Sequence, residues 1–369
     1  MAFQFPLNPT IGQLYNPIPG TTYRWSGLAW YLVNNQFMTQ TEADARYVQL
    51  TKQREKNLII NGLCVSAQYG TVNVLPAANA PGYGGCDRIY GAHTNATVFG
   101  LSRQTSTFSS SGYVQQLQLN TPAAGNATLG TRIEARDTGQ LNGKTVTVGA
   151  TAFHLAGAGI TVSLMLFKAN GPDVFTAPTL LAQTNPVPIA ASTPLPLELT
   201  VALNGTDGDW GLQAQLLYIL PTTVVGANFY IWDFQLTATD YLAPIELETF
   251  EVTLAKCQRY MLAFNSLSTA DPIGTGGMAN ANSGIINIYH PVETRVPPAA
   301  VSVGNAFQLV LTDYVATAEL METIALNGSS TKVTRLFCTG TNAFQTPGHA
   351  AGLFMNTPGA WLRLTGMEL

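Results

Sequence analysis

The side chains able to do chemistry in this chain are few and scattered. His93, His154, His290 and His349 stand apart from one another, and no HExxH, GxSxG or Cys/His signature surrounds them. His154 falls at the end of a strand-like run and reads as a structural histidine. Cys64, Cys86, Cys257 and Cys338 are widely spaced, without the CxxC pattern of a metal site, and read as reduced, buried small hydrophobes. Carboxylates come closer to a constellation, as Asp207 with Asp209 and as Glu246, Glu248 and Glu251. A glycosidase needs two carboxyls facing each other across a sugar cleft. Asp207-Gly208-Asp209, however, lies in a turn-rich stretch where Asp bonds its own backbone, and the Glu cluster marks a junction between regions. The expectation is no catalytic residue and no enzyme. Asp207 and Asp209 are also hard oxygen donors that a structural Ca2+ would accept, although turn chemistry explains the same two residues; no other cofactor is expected. The remaining candidates are aromatic. Trp25 and Trp30 either fill a miniature core or stack on a sugar, and Tyr83 and Phe175 lie in Gly/Pro-rich loops where an exposed ring would meet a glycan.

Composition limits the partners. Among 369 residues, 46% are hydrophobic and only 10% charged, against roughly 25% charged in ordinary soluble chains. A chain so poor in charge is expected to bury surface against copies of itself or other subunits. The net charge of −4 and the absence of any Lys/Arg cluster exclude a nucleic-acid footprint. The longest apolar run, Ile160 to Ala169, contains Lys168 and falls far short of the roughly 20 residues of a spanning helix, so no membrane insertion is expected. The start, Met1 to Pro6, has neither a basic region nor a long apolar one, and the expectation is synthesis in a cytosol without a signal peptide.

The elements that would position these residues are mostly strands. Residues 1–38 contain two aromatic-rich runs around Ser26-Gly27, the pattern of a β-hairpin. Thr39 and Glu42 form a capping-box pattern, and Ala43, Tyr47 and Leu50 recur at helical spacing, which predicts a helical connector over 39–57. So narrow an apolar stripe suits a seam in which two or three copies bury one another. Across 58–250 the pattern alternates, as in Leu212 to Leu220 and Tyr230 to Leu236, with Gly, Pro, Asn and Asp turns between runs. This predicts an antiparallel sandwich, with a jelly roll as first choice. Residues 251–369 predict a second, smaller sandwich, with turns at Gly274-Thr275-Gly276-Gly277 and Asn327-Gly328-Ser329-Ser330. The fold class is all-β.

Several stretches in order resemble tailed-bacteriophage tail-fibre and virion appendage proteins. Asn8 to Gln13 with Thr22 to Trp30 resembles a short module near the start of such proteins, and Thr41 to Val48 looks like their helical connector. Asn57 to Gly62, Gly85 to Arg88, Leu141 to Val148, Gly205 to Asp209 and Phe229 to Leu236 follow the order of a tail-fibre module similar to carbohydrate-binding jelly rolls. Ala255 to Tyr260 matches an Ala-x-Cys-Gln-Arg-Tyr element that opens a C-terminal β-domain. The chain departs from the family pattern at Ile89-Tyr90, where an aromatic residue often follows the Asp-Arg pair directly. The resemblance implies a virion protein, a homotrimeric fibre or spike subunit with its trimer seam at Ala43, Tyr47 and Leu50. Its first module would bind other virion proteins, and its β-domains a host cell-surface polysaccharide. It also implies the structural ion that such jelly rolls often carry. A purely architectural head-fibre, collar or capsid-decoration protein is the alternative, and a capsule depolymerase is disfavoured because the repeats of a β-helix tailspike are missing.

Overall fold

The computed structural model describes residues 5–16, 22–32, 56–68, 70, 81–94, 99–120, 124–157, 159–221, 227–245, 247–265, 271–304, 309–313, 319–340, 347–355 and 360–368. Ala43, Tyr47 and Leu50, and the connector up to residue 55, lie outside them. The chain divides into two compact units, Met1–Arg54 and Glu55–Leu369.

The first unit holds a three-stranded antiparallel sheet of β1 (Leu14–Tyr15), β2 (Tyr23–Trp25) and β3 (Trp30–Leu32). The expected hairpin is therefore extended by one strand. Trp25 and Trp30 are cross-strand partners with ring centroids 5.6 Å apart, and Phe5 stacks on Trp30 at 5.5 Å and 19°. So small a unit has few aliphatic residues to bury, and ring-on-ring packing supplies its core.

The second unit opens with a β-sandwich. One sheet follows the order β11 (Thr179–Gln183), β10 (Thr161–Lys168), β14 (Leu212–Leu220), β8 (Gly125–Ile133), β5 (Tyr90–His93), β4 (Gly82–Tyr83), with β12 (Val187–Pro188) also paired to β10. The other follows β13 (Leu195–Ala202), β9 (Thr145–His154), β15 (Ala227–Thr237), β7 (Tyr113–Leu119), β6 (Phe99–Thr105). Alternation puts Leu117, Val148, Leu164, Leu216, Phe229 and Ile231 between the sheets. Tyr218 is buried with them, and its hydroxyl donates to the Tyr230 carbonyl at 2.5 Å, which satisfies the one polar atom it brings inside. His154 is likewise structural: Nε2 meets the Ile189 carbonyl at 3.1 Å and Nδ1 accepts the Ala156 N–H.

The C-terminal region keeps the all-β character but differs from the expected second sandwich. A helix, Phe250–Gln258, leads into a three-stranded sheet of β16 (Leu262–Asn265), β24 (Trp361–Thr365) and β19 (Ala300–Val303). Beside it, β17 (Asp271–Asn280), β18 (Ser283–Tyr289), β22 (Val333–Gly340), β21 (Glu319–Ser329), β20 (Leu309–Asp313) and β23 (Ala350–Met355) close into a barrel. The glycines read as a turn at 274–277 lie inside β17. A Cβ at Gly276 would meet the Ile285 carbonyl oxygen at 1.8 Å, so glycine here permits the close strand approach that a tightly coiled barrel requires. No helix among the described residues is long and apolar enough to cross a membrane.

Candidate binding face

The outer face of the β13-β9-β15-β7-β6 sheet is divided by one residue. Asp233 has φ +50°, and the β15–β9 register shifts between Trp232 and Gln235. This β-bulge reverses the side-chain alternation. Tyr230 and Trp232 point outward, whereas Phe234 and Leu236 point into the core. Without the bulge, all four would share a face.

Below the bulge the outer face is covered by residues 238–243. Thr147 Oγ1 donates to the Thr239 carbonyl at 2.7 Å, and Leu242 lies over Gly149, where a Cβ would meet its methyl carbon at 2.2 Å. Above the bulge the face is open. Phe153 on β9 and Tyr230 and Trp232 on β15 form an aromatic cluster, with Phe153 5.4 Å from Tyr230 and 5.9 Å from Trp232. Trp232 is only 3% exposed and acts as the floor. Phe108, in the β6–β7 turn, is 61% exposed and leans over Phe153 at 6.1 Å. Thr105, Ser106, Thr107 and Val114 complete a cleft of about 330 Å³.

Beside the rings runs a line of neutral hydrogen-bonding groups. Gln104 Nε2 donates to Ser102 Oγ, and Ser102 Oγ donates to Gln116 Oε1, both at 2.9 Å. Gln116 Nε2 donates to Asn228 Oδ1 at 2.9 Å and to the Tyr230 hydroxyl at 3.2 Å. Partial burial raises the Tyr230 phenol above its ordinary pKa, so it stays a neutral donor and acceptor. The Asn228 Nδ2 and Gln104 Oε1 atoms make no hydrogen bond among the described residues, which leaves one donor group and one acceptor on the rim for a ligand. Flat rings next to fixed amides and hydroxyls match a sugar, which offers C–H faces and a periphery of hydroxyls.

The residues singled out from sequence lie elsewhere. Phe175 is 6% exposed, with the Arg132 guanidinium 5.1 Å from its ring centre, so it is no exposed loop aromatic. Tyr83 sits on the edge strand β4 of the opposite sheet, 6.1 Å from Tyr90, and burial pushes its phenol up to about 12. Trp25 and Trp30, in the first unit, are half-buried and pair with each other across β2 and β3. Asp207 is 3% exposed and accepts Lys168 Nζ and the Asn204 N–H, both at 2.8 Å, while Asp209 accepts Asn142 Nδ2. Hydrogen bonds from Lys168 and Asn204 hold Asp207 below the ordinary carboxylate range in spite of its burial. The ammonium occupies the position a cation would need, so this pair does not fit Ca2+. No group of three or more His, Cys, Asp or Glu capable of holding a metal occurs among the described residues. Cys64, Cys86, Cys257 and Cys338 are buried and unbridged. The face that sequence reasoning missed carried one legible signal, Phe108 in an otherwise polar Ser/Thr/Gly turn.

The Asp87-Arg88 element and the Cys257 to Tyr260 element meet at the junction between sandwich and barrel. Arg88 is 2% exposed and reaches Glu368 Oε2 at 2.7 Å and the Arg132 carbonyl at 2.5 Å, and its guanidinium lies 3.6 Å over the Tyr260 ring. Arg295 holds the Met367 and Glu368 carbonyls, and Arg259 approaches Glu134 at 3.4 Å. Asp87 accepts from Ser66 Oγ, Gln68 N and Gln68 Nε2, pinning the loop that precedes the first sheet.

No protein-family model matches the chain, and no curated protein matches it. Solved structures with partial likeness include TmCBM61 bound to β-1,4-galactotriose, at 12% identity over 49% of this chain and 97% of that one, TM-score 0.27. Others are the C-terminal family 22 carbohydrate-binding module of Clostridium thermocellum Xyn10B, at 15% over 46% and 100%, TM-score 0.30, and the enzymatically active domain of bacteriophage CBA120 tailspike protein 4, at 10% over 49% and 21%, TM-score 0.30. TM-scores this low mark local likeness, and function has to be read from the chain's own surface chemistry.

Proposed function

We propose that this chain is a non-enzymatic glycan-binding protein whose jelly-roll sandwich holds a polysaccharide on the open half of its outer sheet face. The observation that carries this reading is the cleft of Phe108, Phe153, Tyr230 and Trp232 beside the Gln104–Ser102–Gln116–Asn228 line. Rings supply contact area without orientation, and the amides select hydroxyl geometry. No carboxylate pair faces this cleft among the described residues, so binding rather than hydrolysis is the chemistry assigned to it.

In the fuller reading the chain is a homotrimeric fibre or spike subunit of a tailed-phage virion that attaches to host surface glycans. This part is supported by the ordered motif resemblance and by the low charge. It is also supported by the first unit, where Leu7, Ile11, Leu14 and Leu28 are exposed apolar residues suited to burial on other virion proteins. Three weak sites engaging one repetitive glycan would bind far more tightly than one. Exposed apolar residues equally favour the architectural alternative, which differs in requiring no glycan.

The test is retention of the purified chain on immobilised polysaccharides, with Tyr230→Ala as the probe. Loss of roughly 1.4 kcal/mol, about tenfold in affinity, is expected for removing this ring and its hydrogen bonds. Unchanged retention of the variant would move binding away from this face.

A further inference from the structure

The charge around the cleft says which glycans it takes. Every side chain lining it, Thr105, Ser106, Thr107, Phe108, Val114, Phe153, Tyr230 and Trp232, is neutral, and so are Ser102, Gln104, Gln116, Gln118 and Asn228 on the same face. Among the described residues of β15, the one charged side chain is Asp233 at the bulge, held by the Ser110 N–H at 3.2 Å and Ser110 Oγ at 2.9 Å. On the edge strand β13, Pro196 stands opposite Thr151 beside the open half, whereas Glu198 stands opposite Gly149, beside the half that Leu242 covers. Arg103, the one cation on these strands, is opposite the buried Gln115, donates to the Val65 carbonyl at 2.7 Å and lies over Tyr113 at 4.4 Å, on the other side of the sheet. Recognition of a uronate, sialate or phosphate calls for Arg or Lys, or for an array of backbone N–H groups, and the open half offers the Asp233 carboxylate instead.

Resting on the glycan-binding reading above, we infer that the face selects neutral polysaccharide chains and rejects acidic ones, with amide hydrogen bonds and ring stacking as its only means of recognition. Like charge at Asp233 adds repulsion to the missing counter-charge.

The experiment compares uronic-acid polysaccharides with their carboxyl-reduced forms, which keep linkage and ring stereochemistry and lose only the charge. Simple neutral glucans, galactans and xylans complete the panel. Retention of the full chain is read by affinity electrophoresis and calorimetry at low and high salt. Neutral forms are expected to bind at least about tenfold more tightly than their acidic parents, with little dependence on salt. Thr107→Lys, an exposed change at the rim, is expected to narrow that gap by raising affinity for the acidic member in a salt-sensitive way. Equal or tighter binding of acidic parents by the wild-type chain would overturn the selectivity while leaving glycan binding intact. Failure to retain any polysaccharide, neutral or acidic, would overturn the glycan-binding reading and the selectivity with it.

Discussion

The open sheet face and the sandwich–barrel junction use polar side chains in opposite ways. At the junction, charged groups are buried or half-buried and held by partners: Arg88 with Glu368, Glu134 with Arg259, and Arg295 on the Met367 and Glu368 carbonyls. At the open face, neutral amides and hydroxyls pair with one another and leave their outermost atoms for a ligand. In a chain with only 17 basic and 21 acidic residues, this distribution matters. Buried ion pairs fix the relation of two β-regions because breaking one strands a charge.

The comparison is broken most directly at Arg88. Arg88→Met leaves Glu368 buried without its counter-charge and the Arg132 carbonyl without its donor, and a loss of about 3 kcal/mol is expected in urea unfolding above about pH 8, where the wild-type Glu368 is ionised. Polysaccharide retention by the folded fraction should not change. A loss below about 1 kcal/mol would mean that the ion pair does not hold the junction. A smaller effect comes from Glu368 itself. Burial lifts its carboxyl from 4.5 to about 7, against the pull of Arg88 and Arg295 and with the help of Asp87. The folded state therefore holds a proton that the unfolded chain has released, and this contribution is complete below about pH 4.5 and fades as pH rises to about 7. Glu368→Gln should flatten the decline in melting temperature across that window, and an unaltered slope would assign the decline to other groups. The smallest effect is expected at the rim. Phe108→Ala should lower polysaccharide affinity by a few-fold, about 0.5–1 kcal/mol, because an exposed ring contributes contact area alone. Its stability should stay within about 0.5 kcal/mol of wild type. A larger loss of stability would make Phe108 a packing residue and the cleft a by-product of that packing.

Much of the fold was legible in residues. The β-branched runs at Thr145 and Ile160 became β9 and β10, and the alternating runs at Leu212 and Tyr230 became β14 and β15, the last with its alternation reset at Asp233. The helix Phe250–Gln258 was not legible: its buried positions are only Thr253 and Cys257, while Phe250 and Val252 are exposed, so no helical stripe shows. Of the candidate site residues, the aromatics in loops were the least informative. A ring in a Gly/Pro-rich stretch reads as exposed, yet Phe175 is drawn under Arg132, and Tyr83 is buried beside Arg132 and Glu368, by contacts far away in sequence.

Sequence by itself determined the all-β character, the sandwich strands and the shortage of charge, since alternation and composition are local properties. It did not determine which aromatic residues meet solvent. Asp233 in a left-handed conformation turns Tyr230 and Trp232 outward and Phe234 inward, and residues 238–243 cover one half of the resulting face and leave the other open. The barrel, too, depended on strands that meet only after closure, as β17 and β23 do at Gly276 and Ala351. Each of these outcomes turns on register and on contacts between distant segments, and register shows in a sequence only when no bulge resets it.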